Sequence, residues 1–188
     1  MKRIIPSLLC AVLASFSVYA GGFQLNEHGA RPLAMGNAFT AVANDASAIY
    51  WNGAGLTQLN GTSFLIGTTM ITPGSSFEPL GSNIKYETED QYFFPTHAFI
   101  AHKINKDFAA GIGFTSPFGL GTKWDNNWAG RYLALETTLK IFEISPVVAY
   151  SITDELSVSA GFVYSWANVT ITQKTPKPAV LGGGDAFV

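Results

Sequence analysis

Two stretches of this chain alternate with a period of two and carry no charge on either side. In Leu156–Ala167, Leu156, Val158, Ala160, Phe162, Tyr164 and Trp166 share one face, and Ser157, Ser159, Gly161, Val163, Ser165 and Ala167 share the other. In Phe108–Thr115, Phe108, Ala110, Ile112 and Phe114 oppose Ala109, Gly111, Gly113 and Thr115. That period belongs to a strand. A sandwich in water turns its apolar face inward and its charges outward, and here there are none to turn. Large apolar side chains toward lipid and small uncharged ones toward a confined lumen describe a transmembrane antiparallel β-barrel.

The spacing of the other segments agrees. Thr62–Thr72, Pro95–Ile104, Phe108–Ser116, Arg131–Ile152 and Leu156–Gln173 read as five strands. Asn105-Lys106-Asp107 and Thr153-Asp154-Glu155 are tight turns, whereas Gly74–Tyr92, Pro117–Gly130 and Lys174–Val188 are long loops. Short turns at one end and long loops at the other match an outer-membrane barrel. Tyr150, Tyr164 and Trp166 fall toward strand ends, where aromatic girdles sit. The first two strands do not alternate cleanly, and their faces stay unassigned.

Composition narrows the remaining classes. Charged residues make up 13% of the 188, against roughly 25% in a soluble domain. Aromatics at 13% argue against disorder, and a net charge of -2 without a basic cluster argues against nucleic acid. One cysteine excludes a disulfide framework. Ala46–Phe77 is uncharged but broken by glycines, so it fails as a lipid helix.

Residues 1–20 read as a secretory signal: Lys2 and Arg3, an apolar run from Ile4 to Val18, and cleavage after Ala20. Cys10 sits inside that run after Leu8 and Leu9, which does not fit a lipoprotein site. Residues 21–60 do not alternate and are rich in alanine. They read as two short helices, near Pro32–Val42 and Ala46–Tyr50, with Asn44 or Asp45 as cap. Forty such residues need something to pack inside or against.

A search for chemistry finds no catalytic residues, no metal set and no cofactor loop. His97 and His102 are five apart, on opposite faces of a strand. No G-x-S-x-G run occurs. Pro117–Gly130 is the most unusual segment, gathering Phe118, Leu120, Trp124 and Trp128 before Arg131. Exposed aromatics there suit a surface for an apolar ligand, and Arg131 and Lys123 suit a carboxylate. Equally, the tryptophans suit anchoring at lipid headgroups.

These segments, in order, resemble the FadL-type outer-membrane transporters of long-chain fatty acids and other hydrophobic compounds. The resembling runs are Gly22-Phe23-Gln24-Leu25-Asn26-Glu27, Ala34–Phe39, Asn44–Asn52, Pro117-Phe118-Gly119-Leu120 with Trp124 and Trp128, Gly130-Arg131-Tyr132, and Pro146–Tyr150 with Leu156-Ser157. The resemblance implies a fourteen-stranded barrel in the Gram-negative outer membrane, a monomer surrounded by outer-membrane lipids, with an N-terminal hatch inside. It implies ligand capture at the outer loops by Phe118, Leu120, Trp124, Trp128 and Arg131. It further implies release when the hatch end, Gly22 to Glu27, moves, and lateral exit at a third strand containing Gly111, Gly113 and Ser116. The family carries Asn-Pro-Ala where this chain has Asn52-Gly53-Ala54, which loosens the expected anchor of the hatch.

The domain reading is therefore signal 1–20, hatch 21–60, and the first part of a barrel over 61–188. Five strands do not close a barrel, and open edges are not tolerated in lipid, so the chain is expected to be truncated. The alternatives are a small outer-membrane barrel enzyme that modifies lipids, and an adhesin or phage receptor.

Overall fold

The computed structural model describes residues 24–178 and 183–188. The expected signal, with Gly22 and Phe23, lies outside them. Helices α1 (Ala30–Ala34) and α2 (Ala48–Trp51) and a 3-10 turn (Gly53–Gln58) come first. Strands β1 (Thr62–Thr68), β2 (Ser76–Phe77), β3 (Tyr86–Glu87), β4 (Thr96–Lys103) and β5 (Phe108–Lys123) follow. Next come β6 (Glu136–Ser151), β7 (Ser157–Gly161), β8 (Tyr164–Thr172), β9 (Lys174–Pro176) and β10 (Asp185–Phe187). The main sheet runs β1-β4-β5-β6-β7, with β8 also on β6, and every pair is antiparallel. Among the described residues no helix is long and apolar enough to cross a membrane.

The five expected strands are present in order, with four corrections. The first ends at Thr68 rather than Thr72. The fifth is split into β7 and β8, yet Val147 opposite Gly161 and Ile144 opposite Tyr164 belong to one unbroken register. The rungs between them fail at Pro146, which has no N–H to give. The third strand does not end at Ser116 but runs on to Lys123. Pro117 is accommodated because Thr115 faces Glu143 and Phe118 faces Ile141, so Ser116 and Pro117 together oppose Phe142. That extra residue is a β-bulge, one of the few places a strand interior accepts proline. The fourth strand begins at Glu136 rather than Arg131. Short ribbons, β2 with β3 and β9 with β10, occupy stretches expected to be loop.

The outer face is apolar: Phe64 is 72% exposed and Ile66 65%, and Ile112, Val148 and Val158 are exposed beside them. Tyr150 packs on Phe108 at the short-turn end, ring centroids 4.6 Å apart. At the other end Phe142 packs on Phe114 and Trp166 at 5.9 and 5.7 Å. From Phe142 to Tyr150 is eight steps along β6, about 27 Å of strand at ~3.4 Å per residue and ~21 Å of membrane normal at a ~40° tilt. That is close to the height of a lipid-facing band between two aromatic girdles. Beyond Phe142 the same face continues with exposed Lys140.

The inner face is covered by the helical segment. Ala43, Ala46, Ala48, Ile49, Leu56 and Leu59 pack on Phe99, Ala101, Ala109 and Ala149 of the sheet. Gly111 and Gly113 leave the room Ile49 fills: a Cβ at either would stand 2.7 and 2.9 Å from its methyls. Burying that one side chain contributes about 1.5–3 kcal/mol. The same packing explains why β4 does not alternate in sequence. Its inward residues His97, Phe99 and Ala101 are buried under the helical segment while Ile100 faces outward, so both faces are largely apolar. His97 and His102 do lie on opposite faces, one 3% exposed and the other open.

Candidate functional site

The bulge at Ser116-Pro117 organises the site, because one extra residue reverses which side chains of β5 face inward. Below it the inward positions are Ala109, Gly111, Gly113 and Thr115; above it they are Phe118, Leu120 and Thr122, paired with Ile141, Leu139 and Thr137. On β8, Ala167 and Val169 pair with Ile141 and Leu139. Small residues thus line the sheet where the helical segment packs, and large apolar ones line it above. Phe118 and Leu120 accordingly lie on a strand, not on the expected loop.

At the bulge, the backbone N–H of Leu25 donates to the carbonyl of Pro117 at 2.8 Å. The Ser116 hydroxyl donates to the Ile141 carbonyl at 3.3 Å. Gln24 donates to the Tyr50 hydroxyl at 2.8 Å, and that hydroxyl donates to Asn26 at 3.4 Å. Tyr50 also packs on His28, ring centroids 4.4 Å apart, and His28 faces His97 of β4 at 6.1 Å. Four of the six expected hatch-end residues are described, and Gln24 to Glu27 are gathered between Tyr50 and the bulge. Burial holds the His28 ring at a pKa of about 4 instead of 6.5, the charge of His97 lowering it further and a backbone hydrogen bond at Leu25 raising it. Burial likewise raises the Tyr50 hydroxyl, against a hydrogen bond from Gln24, with Glu143 and Glu27 adding to the rise.

At the long-loop end Trp124 and Trp128 stack at 4.2 Å and 10° between planes, and Phe77 meets Trp128 edge-on at 5.9 Å. Trp128 is 9% exposed, and its indole N–H donates to the Ala134 carbonyl at 2.8 Å. The pair is a built aromatic wall, not a set of free loop side chains. Arg131 is committed to Asp185 at 3.1 Å and to the Tyr132 hydroxyl at 3.0 Å. Tyr132 first, then Arg131, holds the Asp185 carboxyl below its usual range. Lys123 pairs with Glu89. Both cations expected to attract a carboxylate therefore have protein partners.

Asn52-Gly53-Ala54 sits at the foot of the helical segment. Asn52 donates to the Thr40 carbonyl at 3.0 Å, and the Ala54 carbonyl accepts from Thr57 at 2.9 Å. A Cβ at Gly53 would stand 2.8 Å from both Val147 and Ser159 of the sheet. Glycine here lets the segment approach the wall more closely than proline can. Gly53→Pro, the residue the resemblance leads one to expect, should cost about 1–3 kcal/mol by overpacking, read as faster amide exchange across residues 48–58. An unchanged exchange rate would show that the wall yields freely at this point.

Sequence reasoning missed His28, His97, Tyr50, Phe77 and Glu143 as members of the site. The available signal was Pro117 inside an apolar run, which marks a bulge. The partners it brings together are distant in sequence and left no local trace. Among the described residues no group of three or more His, Cys, Asp or Glu is placed to hold a metal.

The fold and the site together define an outer-membrane-type β-barrel wall with a helical segment docked on its inner face. The sequence model of a family described as outer membrane protein transport protein (OMPP1/FadL/TodX) matches residues 11–184. The long-chain fatty acid transport protein of Escherichia coli K12 is 29% identical over 170 residues, 86% of this chain and 37% of that protein. Outer membrane protein P1 of Haemophilus influenzae is 28% identical over 195 residues, 90% of this chain and 42% of that protein. The crystal structure of a Pseudomonas aeruginosa FadL homologue superposes with a TM-score of 0.53 at 19% identity, covering 71% of this chain and 35% of that one. The chain belongs to the OMPP1/FadL/TodX family of outer membrane transport proteins. It is an outer-membrane protein of a transporter family, which sets aside the lipid-modifying enzyme. It spans about two fifths of the length of the relatives it matches.

Proposed function

We propose that this chain forms part of a passive, monomeric outer-membrane channel for long-chain fatty acids or similar hydrophobic compounds. In this reading residues 21–60 are the hatch and 61–188 belong to the barrel. One observation carries it: apolar side chains recur along the inner face on both sides of a single Thr122–Thr137 rung. They mark a path from the Trp124–Trp128 stack past Leu120 and Phe118 to the bulge, where the hatch residue Leu25 is tied to Pro117. A ligand caught at the tryptophans passes down that path to the hatch. Movement of Gln24–Glu27 then breaks the bond at Pro117 and frees the irregular part of β5, near Gly111, Gly113 and Ser116, for sideways exit. Arg131 contributes by holding Asp185 and the outer ribbon in place, so its role in capture is positional.

The test is binding of a fluorescent long-chain fatty acid by the full-length purified protein. Trp124→Ala and Trp128→Ala together remove the aromatic wall, and affinity is expected to fall at least tenfold. Each lost ring removes apolar contact area from the ligand at about 25 cal/mol per Å², so two rings together exceed the ~1.4 kcal/mol of a tenfold loss. Unaltered binding, with the barrel still folded, would remove the capture role of this wall.

A further inference from the structure

Where the N-terminal segment seats on the wall, three buried side chains come together: His28 of that segment, His97 of β4 and Thr115 of β5. The His28 and His97 rings are 6.1 Å apart. Ala98 pairs with Phe114, so His97 and Thr115 stand one step further along the same two strands, on the inner face. Each side chain buries a polar atom with no hydrogen-bond partner among the described residues: His28 Nε2, His97 Nδ1 and Thr115 Oγ1. Glu27, next to His28 in the chain, adds one carboxylate oxygen. Native interiors leave few such atoms, and each one calls for a reason.

The wall fixes its two members of this group. The His97 ring stacks on Phe99 at 5.9 Å and lies over Gly67 of β1, where a Cβ would stand 2.5 Å from Nε2. Thr115 faces Glu143 across the ladder, and that carboxylate accepts from Ser165 at 2.9 Å. The neighbouring Ser116 hydroxyl is spent on the Ile141 carbonyl. Two opposed effects therefore act on the seat. Packing of Tyr50 on His28 and the bond from Leu25 to Pro117 favour docking, whereas burying the unpartnered atoms opposes it. Once the segment lifts, water reaches His97 and Thr115 and the opposition disappears.

We infer that His97 and Thr115 set how readily Gln24–His28 leaves the wall: their unpartnered polar atoms keep the seat weak, so that a small push releases the segment. Apolar side chains of the same shape would make a tighter seat, and the wall carries a histidine and a threonine instead. The inference rests on the reading of this segment as the moving part of the route, and it assigns the ease of that movement to the wall beneath. A ligand arriving at the bulge then has to supply only the small difference that remains between docked and released states.

The reporter is amide exchange at Leu25, whose N–H is bonded to Pro117, in the full-length protein without ligand at pH 7.5, above the titration of a free imidazole. Thr115→Val keeps the shape and removes the hydroxyl, and exchange is expected to slow about tenfold. His97→Phe keeps a ring against Phe99 and removes the nitrogens, and a comparable slowing is expected. Thr115→Ser keeps the hydroxyl and should not slow exchange at all. In each variant the amides of β5 and β6 should stay as protected as before. Exchange at the unaltered rate in both Thr115→Val and His97→Phe overturns the inference, and so does an equal slowing in Thr115→Ser, which would assign the effect to packing. Failure of a fluorescent long-chain fatty acid to bind the unaltered protein strikes the transport reading alone, because the exchange rates still decide what His97 and Thr115 do.

Discussion

Gly55→Val is expected to unseat the helical segment while leaving the barrel strands folded. Gly55 is buried in the 3-10 turn, and its N–H donates to the Asn52 carbonyl at 2.9 Å. A Cβ at this position would lie deep inside the contact surface of the Ala43 carbonyl oxygen, with the Ala43 Cβ 3.1 Å away. The obstacle is backbone, so no rotamer change relieves it. Ala43 is itself 2% exposed and fixed by its N–H to the Phe39 carbonyl. Overpacking usually costs about 1–3 kcal/mol and more where neither side yields, so a loss of at least ~3 kcal/mol in docking of the helical segment follows. Amide exchange across residues 40–60 should rise a hundredfold or more, with β5 and β6 still protected. Gly74→Val, at a position with nothing within 4 Å, should change neither. Equal protection in the two variants would mean that the helical segment is held elsewhere.

The wall was largely legible in the sequence, because lipid and lumen impose opposite demands on alternate residues and those demands show at single positions. Phe108–Thr115 and Leu156–Ala167 point as their alternation requires. Legibility failed where a second layer covered the inner face. Phe99 and Ala101 of β4 are buried against alanines of the helical segment, so the strand's two faces look alike. It failed again at Ser116-Pro117, where the chain reads as the start of a loop while the ladder continues through a bulge. That single misplacement moved Phe118 and Leu120 from wall to loop. The site was harder still: Tyr50, His28 and His97 meet across tens of residues, and no spacing rule connects them. Arg131 looked like a free cation because its partner, Asp185, lies 54 residues away.

Acidification should loosen the docked N-terminal segment through His28. The ring is 2% exposed, and its Nε2 is buried without a partner. Tyr50 packs against one side and His97 of β4 faces it, with Glu27 next in the chain. In the docked segment burial holds His28 at about 4, whereas free of that environment it titrates near 6.5. Between those values the released segment binds more protons than the docked one, so docking weakens as pH falls. Above about 6.5 the stability is fully present, and below about 4 the loss is complete, having reached at most ~3 kcal/mol over the interval. The effect should surface first at Gln24–Asn26, where Tyr50 holds two side chains and Pro117 one amide. Amide exchange in that segment, corrected for its intrinsic pH dependence, should accelerate between pH 6.5 and 4.5 in the full-length protein. His28→Phe keeps a ring against Tyr50 and removes the titration, so its profile should be nearly flat over that range. An equally steep profile in His28→Phe would rule out His28 as the proton's site.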